Sequence, residues 1–258
     1  MKKIRFLAVI FFAVLFASII ISSCRSKAKK EEAALPFQEE QAVKPAEVEE
    51  GWEVLFDGIK TTGWRGYGQI GFPIHGWVME EGALKCVGSG AGEAGGRGGD
   101  IIFNKKFKDF RLKLDWKISP GGNSGILYLA QETADPIWKT APEMQILDND
   151  KHPDALLGKD GNRKAGSLYD LIPAVPQNAK PAGEWNSVEI MVYQGTVVHK
   201  MNGETVVEYH LGTPDWDKLV AGSKFKDLPN FGKYQEGYIG LQDHGNDVWF
   251  RNIRILEL

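Results

Sequence analysis

The stretch Phe110-Arg-Leu-Lys-Leu-Asp-Trp-Lys-Ile118 alternates apolar and polar residues without a break. Successive side chains of a strand point to opposite faces, so Phe110, Leu112, Leu114, Trp116 and Ile118 share one side and Arg111, Lys113, Asp115 and Lys117 the other. A period of two predicts a half-buried antiparallel strand, because a helix would scatter the apolar set around its axis. The same period recurs on both sides of this stretch. Residues 77–80 and 83–87 flank Glu81-Gly82, and residues 196–201 and 204–210 flank Asn202-Gly203, a hairpin signal in which both turn positions tolerate positive φ. Further strands are predicted over 52–56, 125–130, 143–147, 185–193, 237–242 and 248–256, and one or two helical turns each over 156–159 and 215–221. Many short strands, few helical turns and no internal repeat predict an all-β domain of two packed antiparallel sheets, a β-sandwich or jelly roll.

The chain of 258 residues starts differently. Lys2, Lys3 and Arg5 precede an apolar run from Phe6 to Ile21, too short for the roughly 20 residues of a membrane-spanning helix. Ser22 and Ser23 then lead into Cys24. This resembles a bacterial lipoprotein signal, which implies removal of residues 1–23 and a lipid on Cys24. Arg25, rather than an aspartate, follows, which by resemblance to the enterobacterial sorting rule implies the outer membrane. Residues 24–50 are rich in Lys, Glu, Ala and Pro and predict a flexible tether. The folded domain is expected over 51–258 and contains all 8 tryptophans. With 2 cysteines in all, lipidation of Cys24 leaves Cys86 without a disulfide partner. A net charge of -3 with scattered Lys and Arg offers no basic stripe for phosphates, so nucleic acid is not an expected partner, and the membrane is expected to be met through the lipid alone.

Several segments carry polar residues where a packed sheet needs none. In Glu143-Met-Gln-Ile-Leu147, Glu143 and Gln145 fall on one face, with Met144 and Ile146 on the other. Buried without partners each would cost about 1–3 kcal/mol, so that face is expected to be a concave, partly wet surface, with a solvent-facing strand as the alternative. A retaining glycosidase needs two carboxyls roughly 5–5.5 Å apart. Gln145 cannot be a nucleophile, and Asp148 lies five residues from Glu143 and on the opposite face, so this strand does not supply the pair. In Pro120-Gly-Gly-Asn-Ser-Gly125, Asn123 and Ser124 either close a tight bend or hydrogen-bond ligand hydroxyls. Gly240-Leu-Gln-Asp-His-Gly245 gathers Gln242, Asp243 and His244, and His244 is the histidine best placed for proton transfer. His75, His152, His199 and His210 are expected to be structural. The glycine-rich run around Arg97 lacks the residues of a phosphate loop and reads as a mobile loop presenting Arg97 to a ligand. Asp148-Asn149-Asp150 alternates oxygen ligands but lacks the glycine and distal glutamate of a calcium loop.

Taken together with Trp52-Glu-Val-Leu-Phe-Asp-Gly58, Trp64, Trp77-Val-Met-Glu-Glu-Gly-Ala-Leu84, Lys164-Ala-Gly-Ser-Leu-Tyr169, Gly183-Glu-Trp-Asn186 and Phe250-Arg-Asn-Ile-Arg-Ile255, the order of these motifs resembles the 3-keto-disaccharide hydrolase family over essentially all of 51–258. The resemblance implies a concanavalin A-like lectin/glucanase sandwich in an envelope protein that cleaves 3-keto-glucosides or 3-keto-disaccharides. A ketone at C3 acidifies the C2 hydrogen, so one base can remove it, the C1 substituent can leave, and water can add back. Glu143 or His244 is then the expected base, with Lys164, Arg97 or a divalent metal ion facing the enolate. Gln145, Asn123, Ser124, Gln242 and Asp243 become expected substrate hydrogen-bonders, and Trp138, Tyr169 and Trp64 expected sugar platforms. Two alternatives stay open, a non-catalytic carbohydrate-binding module and a conventional endo-glucanase.

Overall fold

The computed structural model describes residues 49–90 and 97–258. The signal segment, Cys24 and nearly all of the expected tether lie outside the described residues. In chain order the strands are β1 (Glu53–Phe56), β2 (Trp64–Gly66), β3 (Trp77–Glu80), β4 (Ala83–Cys86), β5 (Ile101–Phe107), β6 (Phe110–Ile118) and β7 (Asn123–Ala130). They continue as β8 (Glu143–Leu147), β9 (Asn186–Tyr193), β10 (Thr196–Met201), β11 (Glu204–His210), β12 (Gly237–Leu241) and β13 (Val248–Glu257), with one helix, α1 (Pro214–Ala221), between β11 and β12.

The strands form two sheets. The larger runs β11-β10-β9-β6-β13-β4-β3, with β1 also on β13, and the smaller runs β2-β5-β12-β7-β8. Every ladder is antiparallel. β6 is the central case: Phe110, Leu112, Leu114, Trp116 and Ile118 are buried and the residues between them are half-exposed, as their alternation predicts. Between the sheets these side chains meet Ile126, Tyr128, Met144 and Ile146 from β7 and β8 in one continuous core. Asn202, at φ 51°, and Gly203, at φ 90°, make the predicted β10–β11 turn. The fold is the predicted all-β sandwich.

Two strands escape the sequence reading. β5 is buried at Ile101, Ile102 and Phe103 and exposed at Asn104, Lys105 and Lys106, so it shows no alternation. β2 is only three residues long. The expected turn over 156–159 is a 3-10 turn at Pro153–Leu156, where Pro153 follows a His152 cap. Asn123 and Ser124 belong to β7 itself, and the bend sits just before them at Gly121, φ 69°.

Candidate active site

In the smaller sheet β12, β7 and β8 lie side by side. The register sets Gly125 opposite Gln145 and Leu127 opposite Glu143. Directly paired residues share a face, so Asn123, Gly125, Glu143 and Gln145 all point away from the core. Gln242 joins them just past β12, its backbone N–H donating to the Gly125 carbonyl at 3.0 Å. This face is the floor of a cleft of about 460 Å³. Its walls come from loops: His244 from the β12–β13 turn, Trp138 from the β7–β8 connection, Asp154, Arg163 and Tyr169 from the long β8–β9 connection, and Lys224 and Phe225 from the segment after α1. Backbone pairing holds the long connection against β8, since Gly166 and Tyr169 N–H groups donate to the Gln145 and Glu143 carbonyls at 2.8 and 3.0 Å.

Glu143 is the buried acid of this floor, 6% exposed. No hydrogen bond or ion pair engages its carboxyl among the described residues. Burial pushes the carboxyl up to about 8, the Lys224 charge opposes that rise, and the Asp100 and Asp154 charges add to it. Lys224 is exposed as a residue, yet its ammonium stands 4.0 Å from the centre of the Tyr169 ring and 5.2 Å from that of Phe225. Burial there holds the amine below its ordinary range, against the attraction of Glu143. The cleft thus sets a carboxyl that resists ionising beside an amine that resists protonation. Such shifted pairs mark proton-transfer sites.

The wall opposite is tied by ion pairs and hydrogen bonds. Arg163 bridges two buried carboxylates, with Nη1 2.8 Å from Asp154 Oδ1 and Nε 2.6 Å from Asp170 Oδ1. The Tyr169 hydroxyl donates to Asp154 Oδ2 at 2.8 Å, and burial pushes that phenol well above its usual range. Asp154 therefore enters the cleft with both oxygens already accepting hydrogen bonds. On the floor, Asn123 Oδ1, Gln145 Oε1 and Gln242 Oε1 are buried without a protein partner among the described residues. Each primary amide can offer a donor or an acceptor, and leaving one unpaired costs about 1–3 kcal/mol. A ligand rich in hydroxyl and carbonyl groups would satisfy them.

Of the expected site residues, the structure brings Glu143, His244, Gln145, Asn123, Gln242, Tyr169 and Trp138 together. Five others are placed elsewhere. Ser124 follows Asn123 and so takes the opposite face of β7, fully buried, its hydroxyl donating to the Gln242 carbonyl at 2.8 Å. Asp243 accepts from the Gly98 and Gly99 N–H groups at 3.0 Å each and from Gly245, which makes it a loop anchor. Arg97 is exposed next to residues 91–96, which lie outside the described residues, and it does not line the cleft. Lys164 does not line the cleft, where its neighbour Arg163 does. Trp64 is a core residue, 4% exposed, with Nε1 donating to the Leu55 carbonyl. Asp148 and Asn149, considered for calcium, accept from the backbone N–H groups of Gly121 and Ala165. Among the described residues no group of three or more His, Cys, Asp or Glu side chains is arranged to hold a metal ion.

Two of the four other histidines are buried and make contacts within the fold. His152 caps the 3-10 turn by accepting from Asp154 N–H at 3.2 Å. His199 is fully buried, its Nε2 2.8 Å from the Tyr128 hydroxyl and its Nδ1 3.2 Å from the Gly166 carbonyl. A separate cleft of about 350 Å³, lined by Lys108, Asp109, Gln194 and Lys233 among others, gathers no buried polar side chain.

Comparisons with known proteins give the chain its family. The 3-keto-alpha-glucoside-1,2-lyase-like domain family matches residues 51–256. A Bacteroides thetaiotaomicron protein named 3-keto-disaccharide hydrolase is 55% identical over 227 residues, covering 80% of this chain and 78% of that relative. A Parabacteroides distasonis crystal structure, provisionally named a glycosyl hydrolase, superposes with a TM-score of 0.70 at 32% identity, covering 81% of this chain and 94% of that one. A second Parabacteroides distasonis structure with the same provisional name gives a TM-score of 0.60 at 29% identity, covering 80% and 99%. The chain belongs to the 3-keto-alpha-glucoside-1,2-lyase-like family, that of the 3-keto-disaccharide hydrolases.

Proposed function

We propose that this carbohydrate-cleaving enzyme breaks the glycosidic bond of 3-keto-glucosides by elimination and hydration, with Glu143 as the base. The observation that carries the reading is the isolated, buried Glu143 carboxyl on an amide-lined floor beside the Lys224 ammonium. Ionised Glu143 takes the C2 proton, and the electron pair moves into the C2–C3 bond and onto the ketone oxygen. Lys224 and the amide N–H groups of the floor face that developing negative charge, where fixed donors are most effective. The pair then returns, the C1–O bond breaks, and the aglycone leaves as an alcohol, taking up a proton. Water adds across C1 and C2 of the unsaturated ketone and yields the free 3-keto sugar.

This route needs one carboxyl, and among the described residues that line the cleft Glu143 is an uncommitted one. Asp154, the second acid in the cleft, is tied by Arg163 and Tyr169, which counts against a conventional endo-glucanase. His244 lines the same cleft and is the second candidate base. Aglycone release from a 3-keto-glucoside by purified protein tests the reading. Glu143→Gln should bind the sugar and lose turnover, whereas a binding module would show no turnover in either form. Export and a lipid on Cys24 belong to the same reading, which holds the enzyme on the outer membrane of the cell envelope; loss of membrane association in Cys24→Ala tests that part.

A further inference from the structure

Lys224 reaches the cleft from a segment just past the end of α1, outside any strand or helix. Contacts on both sides hold that backbone. On one, Phe225 is buried and stacks on Phe231 with ring centres 3.9 Å apart. On the other, the Lys224 N–H donates to Asp170 Oδ2 at 3.1 Å. The second oxygen of that carboxylate, Oδ1, accepts from Arg163 Nε at 2.6 Å. One buried carboxylate thus joins the wall built on Arg163 to the segment that delivers the amine.

The backbone at Asp170 is shaped for this. Leu168 and Ile172 exchange both of their N–H···O hydrogen bonds at 3.0 Å and close a tight loop that carries Tyr169 and Asp170. Asp170 takes φ 60°, a left-handed conformation that side chains enter under strain and that glycine would hold freely. Such strain persists where the surroundings over-determine it, and it gathers at functional sites. Successive residues of the loop meet Lys224 at its two ends: the Tyr169 ring centre lies 4.0 Å from the ammonium, and Asp170 holds the backbone.

We propose that Asp170 is a positioning residue that sets the Lys224 ammonium against Glu143 without itself lining the cleft. The consequence for catalysis rests on the reading of the cleft as a 3-keto-glucoside site, whereas the placement of Lys224 is a property of the protein alone. The Asp170 charge also favours the ammonium form of Lys224. The other charged or titratable groups facing the pair are Asp154, Arg163 and Tyr169 from the β8–β9 connection, Asp100 ahead of β5 and His244 from the β12–β13 turn. Deleting the negative charge of Asp170 would by itself make a nearby carboxyl more acidic. Displacing or discharging Lys224 makes Glu143 less acidic, so the direction of the shift separates the two effects.

The test is an NMR titration of the Glu143 carboxyl in protein carrying isotope-labelled glutamate, its signal assigned by its loss in Glu143→Gln. Asp170→Gly keeps the positive φ without strain and removes the carboxylate, and it should raise the Glu143 midpoint by about one unit. Asp170→Asn leaves one acceptor oxygen for two donors and should give a smaller rise in the same direction, and it stands in if the glycine variant does not fold. In a Lys224→Met background neither substitution should add to the rise, because residues that act through one another are not additive. An unchanged or lowered midpoint, or an equal rise with and without Lys224, overturns the proposal. On a 3-keto-glucoside, Asp170→Gly should lower kcat roughly tenfold and leave KM within about threefold, and an unaltered kcat overturns the proposal too. If the wild type turns over no 3-keto-glucoside, the reading of the site fails, and the titration still decides the role of Asp170.

Discussion

The carboxyl of Glu143 fills the space that a side chain at Gly125 would need, across the β7–β8 ladder. A methyl group there must push the carboxyl aside, so Gly125→Ala should lower kcat by roughly 10- to 100-fold, as small misplacements of a reacting group do. KM should change far less, because the amides of the floor stay in place. Steady-state kinetics on a 3-keto-glucoside check this, with a wild-type kcat as the contrary result.

Activity should follow ionisation of Glu143. The base must be unprotonated, and burial holds its carboxyl up to about 8, so kcat/KM should climb with pH and level off near there. The Lys224 charge pulls that value down. Lys224→Met should therefore move the rise to higher pH as well as reduce the rate, and Lys224→Arg should leave its position nearer that of the wild type. A pH–rate profile flat between 6 and 9 contradicts the assignment.

Glu143 should also be a burden on folding at neutral pH. Its folded value lies above the ordinary carboxyl value of 4.5, so between 4.5 and about 8 the folded state binds a proton that the unfolded state has lost. Stability from this group is complete below 4.5 and declines as pH rises toward 8. Glu143→Gln should then stabilise the protein by on the order of 1–3 kcal/mol at pH 8 and by almost nothing at pH 4. Denaturant unfolding at the two pH values measures the difference.

His199 predicts the opposite limb. Burial lowers it from 6.5 to about 4, so between these values the unfolded state takes up a proton that the folded state refuses. Its contribution is complete above 6.5 and is lost as pH falls to 4, by up to about 3 kcal/mol. His199→Asn should lower stability overall and flatten its slope between pH 6.5 and 4. An unchanged slope in thermal or chemical unfolding counts against a neutral buried His199.

Most of the fold was readable because antiparallel strands with one wet face write their burial into a period of two. β6 follows that rule throughout, whereas β8 is buried at all five positions and β5 packs three consecutive apolar residues and then three polar ones. The floor of the site was readable for the same reason: Glu143 and Gln145 share a face by parity alone. Ser124 fails by that parity too, since it neighbours Asn123 and must point into the core. The walls were not readable. Asp154, Arg163 and Asp170 meet through loop closure, and Lys224 arrives from a segment far along the chain, where no periodicity records which side chain turns inward.

The most direct measurement is the NMR spectrum of the 3-keto sugar released from a 3-keto-glucoside in D2O. Proton removal by Glu143 followed by hydration predicts deuterium at C2 for the wild type, and neither aglycone release nor C2 exchange for Glu143→Gln. Protium retained at C2, or a Glu143→Gln variant that releases aglycone at the wild-type rate, contradicts the account.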